Sequence, residues 1–252
     1  MTKRLIVLGA GWLGKPLCEH FLAAGWQVEG TQRIPQPLPY LRRCVLEQGE
    51  LNHNLDLKQA YWVCAVPPRA RTGGGDYLAF LQASLELAAE YQAQGFVLCS
   101  STAVYANNSG RYDEQAALAE PTPRTETLLA AEQLVLQSGG KVLRLAGLIG
   151  PGREPGQFVA GKNLSSAAAD PVNMVHQGDV IKGIATLLDN WPDANTIYNL
   201  CYPAHPDKES YYARHCAAAA QQPPVFTGEQ SVVRIIDGSA ITELGMAYTH
   251  PI

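Results

Sequence analysis

Two observations predict an α/β chain of the doubly wound class, a parallel sheet with helices on both faces and a small C-terminal lobe. Short apolar runs alternate with helical patterns through the first 145 residues, and such alternation builds parallel strands joined by crossover helices. In addition, a glycine-punctuated turn follows the first of those runs directly and opens a helix.

The strand-like runs fall at residues 4–8, 26–31, 43–46, 61–66, 96–100 and 141–145. Each is short and apolar and is bounded by turn or helix signals. Helices are predicted between them at 12–24, 76–94 and 123–138. The last two are rich in Ala, Leu, Glu and Gln and carry apolar residues at three- and four-residue spacing. The pattern loosens after Arg144. Residues 146–175 are rich in Gly, Pro, Asn and Ser with little periodicity, a stretch too long for a simple connector. A helix at 178–190, a strand at 196–200, a helix at 207–221 and a strand at 231–236 follow, expected to thread back onto the sheet. The expected organisation is a single domain over 1–252, with 146–177 and 201–252 contributing a small substrate-side lobe.

The chain has 252 residues, 46% hydrophobic and 17% charged, a balance that excludes a disordered polymer. Its net charge of -4 gives a nucleic-acid partner no general electrostatic support and a membrane surface little. Six cysteines occur with no Cys-x-x-Cys spacing, and Cys64 and Cys99 lie inside apolar runs; buried, reduced thiols are expected. Lys3 and Arg4 ahead of Leu5–Leu8 superficially mimic a signal peptide, but glycines interrupt the run at once and no small-residue cleavage site follows. No stretch approaches about 20 uninterrupted apolar residues, the length that spans a bilayer. A cytoplasmic chain is expected. His20, His53, His205, His215 and His250 show no ligand spacing, so no metal is expected.

The first strand runs into Gly9-Ala10-Gly11-Trp12-Leu13-Gly14. Strand, G-x-G-x-x-G and helix in that order form the Rossmann dinucleotide fingerprint. Gly9 permits the tight turn, Gly11 lets the backbone approach a pyrophosphate, and Gly14 lets the helix pack on the strand. The amides around Trp12 and Leu13 then face the anion. The second strand should end beside the adenosine ribose. It reads Val28-Glu29-Gly30-Thr31-Gln32-Arg33, with Gln32 at the position where NAD-preferring proteins carry an acid. The Arg33 guanidinium, with Thr31 beside it, suits a 2′-phosphate through charge-assisted hydrogen bonds. The expected cofactor is NADP, with NAD as the competing reading through Glu29, about three residues early.

Hydroxyl residues close the fifth strand in Ser100-Ser101-Thr102-Ala103-Val104-Tyr105, where ligands bind in sheets of this kind. Similar landmarks are Ala65-Val66-Pro67-Pro68, Arg144-Leu145-Ala146-Gly147-Leu148-Ile149-Gly150-Pro151-Gly152, Val175-His176-Gln177-Gly178-Asp179-Val180 and Tyr198-Asn199-Leu200. In these segments the chain resembles the extended short-chain dehydrogenase/reductases, the nucleotide-sugar epimerase/dehydratase group, over most of its length. The resemblance implies that Ala65, Val66 and Pro67 touch the nicotinamide-side ribose. It also implies that Ser100 and His176 lie near the cofactor and that Ser101 orients a carbonyl. A sugar-nucleotide-like or other polar substrate follows from it, as does a homodimer paired through the helices at 76–94 and 123–138.

Two departures stand out. The family's glycine loop is one residue longer. Its catalytic Tyr-x-x-x-Lys is also missing: the two positions hold Arg124 and Leu128, and none of the eleven tyrosines has a lysine four residues on. A guanidinium stays charged near neutral pH, so Arg124 cannot be a general acid, though it can donate to a developing oxyanion. Tyr112 is the phenol considered as a stand-in, whereas Tyr105 reads as packing. Asp113-Glu114 reads as a helix-start acidic pair, Arg144 as buried and ion-paired, His176 as a loop latch and Asp179 as an N-cap. Arg69 and Arg71 could grip a phosphate or carboxylate or be solvated. Two functions remain open. One is an NADP-dependent oxidoreductase with a non-standard proton donor; the other is a dinucleotide-binding sensor or partner-binding module without catalysis. A 2-hydroxy-acid-type dehydrogenase fits the glycine spacing but not Ser-Ser-Thr-x-Val-Tyr.

Overall fold

The computed structural model describes residues 2–68 and 75–252. In chain order the elements begin with β1 (Arg4–Leu8), α1 (Gly14–Ala23), β2 (Gln27–Gln32), β3 (Leu41–Glu47), β4 (Glu50–His53), β5 (Tyr61–Cys64), α2 (Gly75–Glu90) and β6 (Gly95–Ser101). They continue with β7 (Gly110–Tyr112), α3 (Pro123–Gln137), β8 (Lys141–Leu145), β9 (Gly147–Ile149), α4 (Pro155–Val159), β10 (Asn163–Leu164) and β11 (Met174–His176). The last are α5 (Gln177–Asp189), β12 (Ile197–Leu200), α6 (Lys208–Ala218), β13 (Val225–Phe226) and β14 (Arg234–Ile236).

Eight strands form one sheet in the order β12-β8-β6-β5-β1-β2-β3-β4. Parallel registers place Leu5 of β1 beside both Val28 of β2 and Tyr61 of β5, and Cys64 of β5 beside Leu98 of β6. The central strand is dry, with Leu5, Ile6, Val7 and Leu8 fully buried, as a strand covered on both faces requires. The edge is a surprise of local chemistry. Gln48 and Gly49 both take positive φ, +52° and +85°, which suits the tight turn that joins β3 to antiparallel β4. Glu50, Asn52 and His53 give β4 no apolar alternation to announce it.

Two compact units divide the chain. The first takes the described residues of Met1–Ser101, Glu120–Arg144 and Leu188–Ile197. Its apolar core includes Trp62, stacked on Phe96 at 6.3 Å between ring centroids. The ion pair expected for Arg144 is present: its Nη2 donates to Glu132 Oε2 at 2.7 Å, while Ser100 Oγ donates to Glu132 Oε1 at 2.5 Å. Both charged side chains are at least 95% buried, so one carboxylate ties β6, α3 and β8 together. Thr122 caps α3 by accepting from Thr125 N–H, and Pro123 follows at its first position.

The second unit takes Thr102–Ala119, Leu145–Leu187 and Tyr198–Ile252, and so contains the residues expected to form a lobe together with others. Here the prediction of late strands needs correction. β14 is only Arg234–Ile236, and it pairs with β7 rather than with the large sheet. The aperiodic 146–175 stretch likewise holds short strands with remote partners, β9 with β11 and β10 with β13. Carboxylates and amides fasten these pieces. Asp170 accepts from Val232 N–H at 2.7 Å and pairs with Lys208 at 3.0 Å, and Asn173 accepts from Ile236 N–H at 2.8 Å. The roles expected of His176 and Asp179 are exchanged. Because α5 starts at Gln177, His176 sits in the capping slot and its Nδ1 accepts from Gly178 N–H at 3.0 Å. Asp179 lies inside the first turn, fully buried, and accepts from the backbone N–H groups of Thr249 and His250 at 3.0 and 3.1 Å. The His250 ring stacks on His176 at 4.4 Å. All six cysteines are free and buried, and burial pushes the Cys64 thiol up to about 12, which leaves it unreactive. Among the described residues no helix is long and apolar enough to cross a membrane, and no cluster of three or more His, Cys, Asp or Glu could hold a metal.

Removing one partner of a buried pair strands the other charge, so Arg144→Met should cost about 3–5 kcal/mol. Adding Glu132→Leu should recover much of that loss, as urea unfolding followed by far-UV circular dichroism would measure. A pH effect has a defined sign. Burial first, and the neighbouring His250 second, hold His176 below its ordinary 6.5. The unfolded chain therefore binds the proton more readily, and stability falls as pH drops through 6.5 towards the lower folded value. The melting temperature should decline from about pH 7 to about pH 5, and His176→Asn, which keeps a capping acceptor, should shallow the decline.

Candidate functional site

The carboxyl end of β1 is shaped by what a Cβ would meet. At Gly14 it would lie 2.2 Å from the Gly9 carbonyl oxygen, so α1 could not sit this close to the turn with any larger residue. Gly9 has φ of +88°, and its Cβ would meet Val66 Cγ2 at 2.8 Å. Gly11 is different. Nothing lies within 4 Å of a Cβ there, so the fold itself does not demand glycine, and bare backbone faces open space. Leu13 occupies the N-cap of α1 and supplies no side-chain cap. A polyanionic group against this turn fits both observations.

Thr31 and Gln32 brace the turn. Thr31 Oγ1 accepts from Gly9 N–H at 3.0 Å and its carbonyl accepts from Ala10 N–H at 2.7 Å. Gln32 Nε2 donates to the Ala10 carbonyl at 2.8 Å. Glu29 is committed elsewhere: it is buried, pairs with Arg42 at 2.8 Å and accepts from Asp56 N–H at 2.9 Å. Arg33 is exposed and has no hydrogen-bond or ion-pair partner among the described residues. A crevice of about 910 Å³ in the first unit gathers Gly9, Gly11, Thr31, Gln32, Arg33, Val66 and Pro67. Its walls also include Cys44, Val45 and Leu46 of β3 and Asp76, Tyr77 and Phe80 of α2.

Other expected residues lie outside that lining. Trp12 is half-buried, Leu13 and Gly14 are buried beneath the turn, and Ala65 N–H donates to the Leu8 carbonyl at 2.9 Å. The Ser100 hydroxyl is held by Glu132. Ser101 ends β6, half-buried, and Arg124 stands exposed on the first turn of α3. Tyr112 and His176 belong to the second unit. Tyr112 is buried and its hydroxyl donates to the Asn108 carbonyl at 3.1 Å, with the Arg234 guanidinium 5.4 Å from its ring. Tyr105 is buried too, but it is more than packing, since its hydroxyl donates to Asn199 Oδ1 at 2.8 Å. Asp113 and Glu114 start no helix. Asp113 closes a turn on Gln115 N–H at 2.9 Å, and Glu114 accepts from Asn199 N–H at 2.6 Å. Burial raises the Glu114 pKa. Arg69 and Arg71 lie outside the described residues. The sequence reading passed over Tyr77, although its place beside Asp76 at the head of a helix following a strand end was a usable signal.

No protein-family model matches the sequence. Protein YeeZ of Escherichia coli strain K12 and of Escherichia coli O157:H7 are each 35% identical over 273 residues, covering 99% of this chain and 97% of theirs. In structure the chain is similar to MoeE5 in complex with UDP-glucose and NAD, with a TM-score of 0.79, 19% identity and coverage of 99% and 94%. It is also similar to UDP-glucuronic acid 4-epimerase from Bacillus cereus in complex with NAD, at 0.79, 16%, 98% and 94%. A functionally unknown conserved protein from Silicibacter pomeroyi DSS gives 0.77, 22%, 100% and 95%. Identities this low establish shared architecture alone, a Rossmann-like α/β fold. On sequence, the chain belongs to the family of Escherichia coli Protein YeeZ.

Proposed function

We propose that the protein is an NADP(H)-dependent oxidoreductase acting on a small polar carbonyl or hydroxyl compound. The observation that carries this reading is the crevice over bare Gly11, with Arg33 in its wall and without a partner among the described residues, and Glu29 already buried against Arg42. A ribose without a 2′-phosphate would find no free acid at this strand end, whereas a 2′-phosphate would find a guanidinium. The nicotinamide, when bound, supplies hydride chemistry.

The chain's own groups then divide the work. Backbone at Gly11 and the uncapped first turn of α1 hold the pyrophosphate. Val66 and Pro67 form an apolar wall that excludes water. The Ser101 hydroxyl donates to a substrate oxygen, and Arg124 offers fixed donors to a developing negative charge. Neither acts as a general base: Arg124 keeps its proton, and no lysine stands by to activate a phenol at the α3 position. The proton comes from a group outside the Tyr-x-x-x-Lys arrangement, or from water. Several structural neighbours are named for UDP-sugars, which favours a sugar-nucleotide-like substrate among the polar compounds.

A second reading is favoured by one observation. Leu128 fills the position of the family's lysine and is buried, which suits a dinucleotide-binding sensor without catalysis. Fluorescence titration with NADPH and NADH, followed by a screen of carbonyl compounds for NADPH oxidation, separates the two. Turnover abolished by Ser101→Ala supports the enzyme, while tight NADPH binding with no turnover across a broad panel supports the sensor. Arg33→Ala should weaken NADPH by about 1.5–3 kcal/mol, the range for hydrogen bonds to charged groups, and NADH hardly at all. Equal losses for both cofactors would remove the 2′-phosphate assignment.

A further inference from the structure

Two buried side-chain polar atoms have no hydrogen-bond partner among the described residues. The Trp62 indole N–H and the Tyr211 hydroxyl are sealed within packed side chains. Tyr77 differs from both: it is mostly buried, lines the wall of the crevice, and makes no hydrogen bond among the described residues. A hydroxyl at such a wall has crevice water to bond to in the free protein. It exchanges that water for the ligand when the ligand arrives.

The surroundings say which part of a ligand that is. Tyr77 belongs to the same buried apolar cluster as Cys64 of β5 and Leu81 of α2. Cys64, Cys99 and Glu132 lie close enough to Tyr77 to bear on its ionisation. Those residues lie on β5, β6 and α3, whereas Arg33 follows β2, and β1 separates β5 from β2 in the sheet. A dinucleotide straddles the turn after β1 with one half on each side. We propose that Tyr77 is the hydrogen-bond donor to an uncharged acceptor oxygen, carboxamide or ribose, on the nicotinamide half of the bound dinucleotide. This rests on the dinucleotide reading above and adds to it a recognition residue that the glycine turn and Arg33 do not supply.

The character of the site fits a neutral acceptor. Among the described wall residues the charged neighbour of Tyr77 is Asp76, and Arg33 is the one Lys or Arg, so the described wall favours an uncharged oxygen there over an anionic one. Burial, followed by the charges of Cys64, Cys99 and Glu132, holds the phenol above its ordinary value. It therefore keeps its proton to donate, and it does not take the base role of the family's lysine-activated tyrosine.

The test uses isothermal titration calorimetry on the full chain with two probes, NADPH and 2′,5′-ADP, the second lacking the nicotinamide half. Tyr77→Phe keeps the ring and removes the hydroxyl. The expected result is a Kd for NADPH about tenfold higher, a Kd for 2′,5′-ADP within about twofold of wild type, and a ligand-free Tm unchanged or raised. Unchanged NADPH affinity, equal loss of both probes, or a lower ligand-free Tm would each overturn the assignment of Tyr77 while leaving the dinucleotide site intact. Wild-type protein that binds neither probe would instead remove the dinucleotide reading, and the Tyr77 proposal with it.

Discussion

Close contact between α1 and the end of β1 is the constraint from which the site follows. Gly14 lies against the Gly9 carbonyl with no room for a methyl group, and that contact sets where the helix begins. Thr31 and Gln32 then hold the turn from the neighbouring strand, one through its hydroxyl and the other through its amide. With the turn fastened from behind, the backbone at Gly11 is left facing outward. A loop that had to find this geometry on binding would lose ordering entropy at that moment, whereas this one is already arranged.

Buried carboxylates elsewhere serve as fasteners, and their partners explain why so many acids in the chain are not sites. Glu29 joins Arg42 to the backbone at Asp56 and Leu57. Glu132 gathers Ser100 and Arg144. Asp170 and Asp179 each bring residues 60 or more positions away onto their oxygens. Carboxylates with both oxygens accepting in this way stabilise a connection between remote segments. Arg33 is the contrasting case, a cation without a partner among the described residues, beside bare backbone.

The large sheet was legible because its strands and helices are long enough to carry a period. Apart from the hairpin strand β4, each strand and helix of the first unit lies within a few residues of its expected place. The second unit was not, for a physical reason: strands of two or three residues such as β10 and β13 exist only through a partner some sixty residues off, and no local pattern reports that. The glycine turn and Arg33 could be read as site residues because their chemistry is local. The commitment of Glu29 could not, since it depends on Arg42 arriving across the sheet. Tyr77 had a local signal at the head of α2, but its place in the crevice wall depends on α2 meeting β3. Helix register explains the exchange at α5: a cap at Asp179 would start the helix at 180, whereas α5 starts at Gln177, which moves the cap three residues back to His176.

The short hairpin at the end of the sheet has a consequence for self-association. β4 offers a ladder of only four residues, with Glu50 and Asn52 turned to solvent and a tight turn at one end. An incoming strand from another copy would meet a brief, twisted and partly acidic border, a poor template for edge-to-edge growth. The polarity that hid this strand from prediction is also what keeps an eight-stranded sheet from being extended at that side.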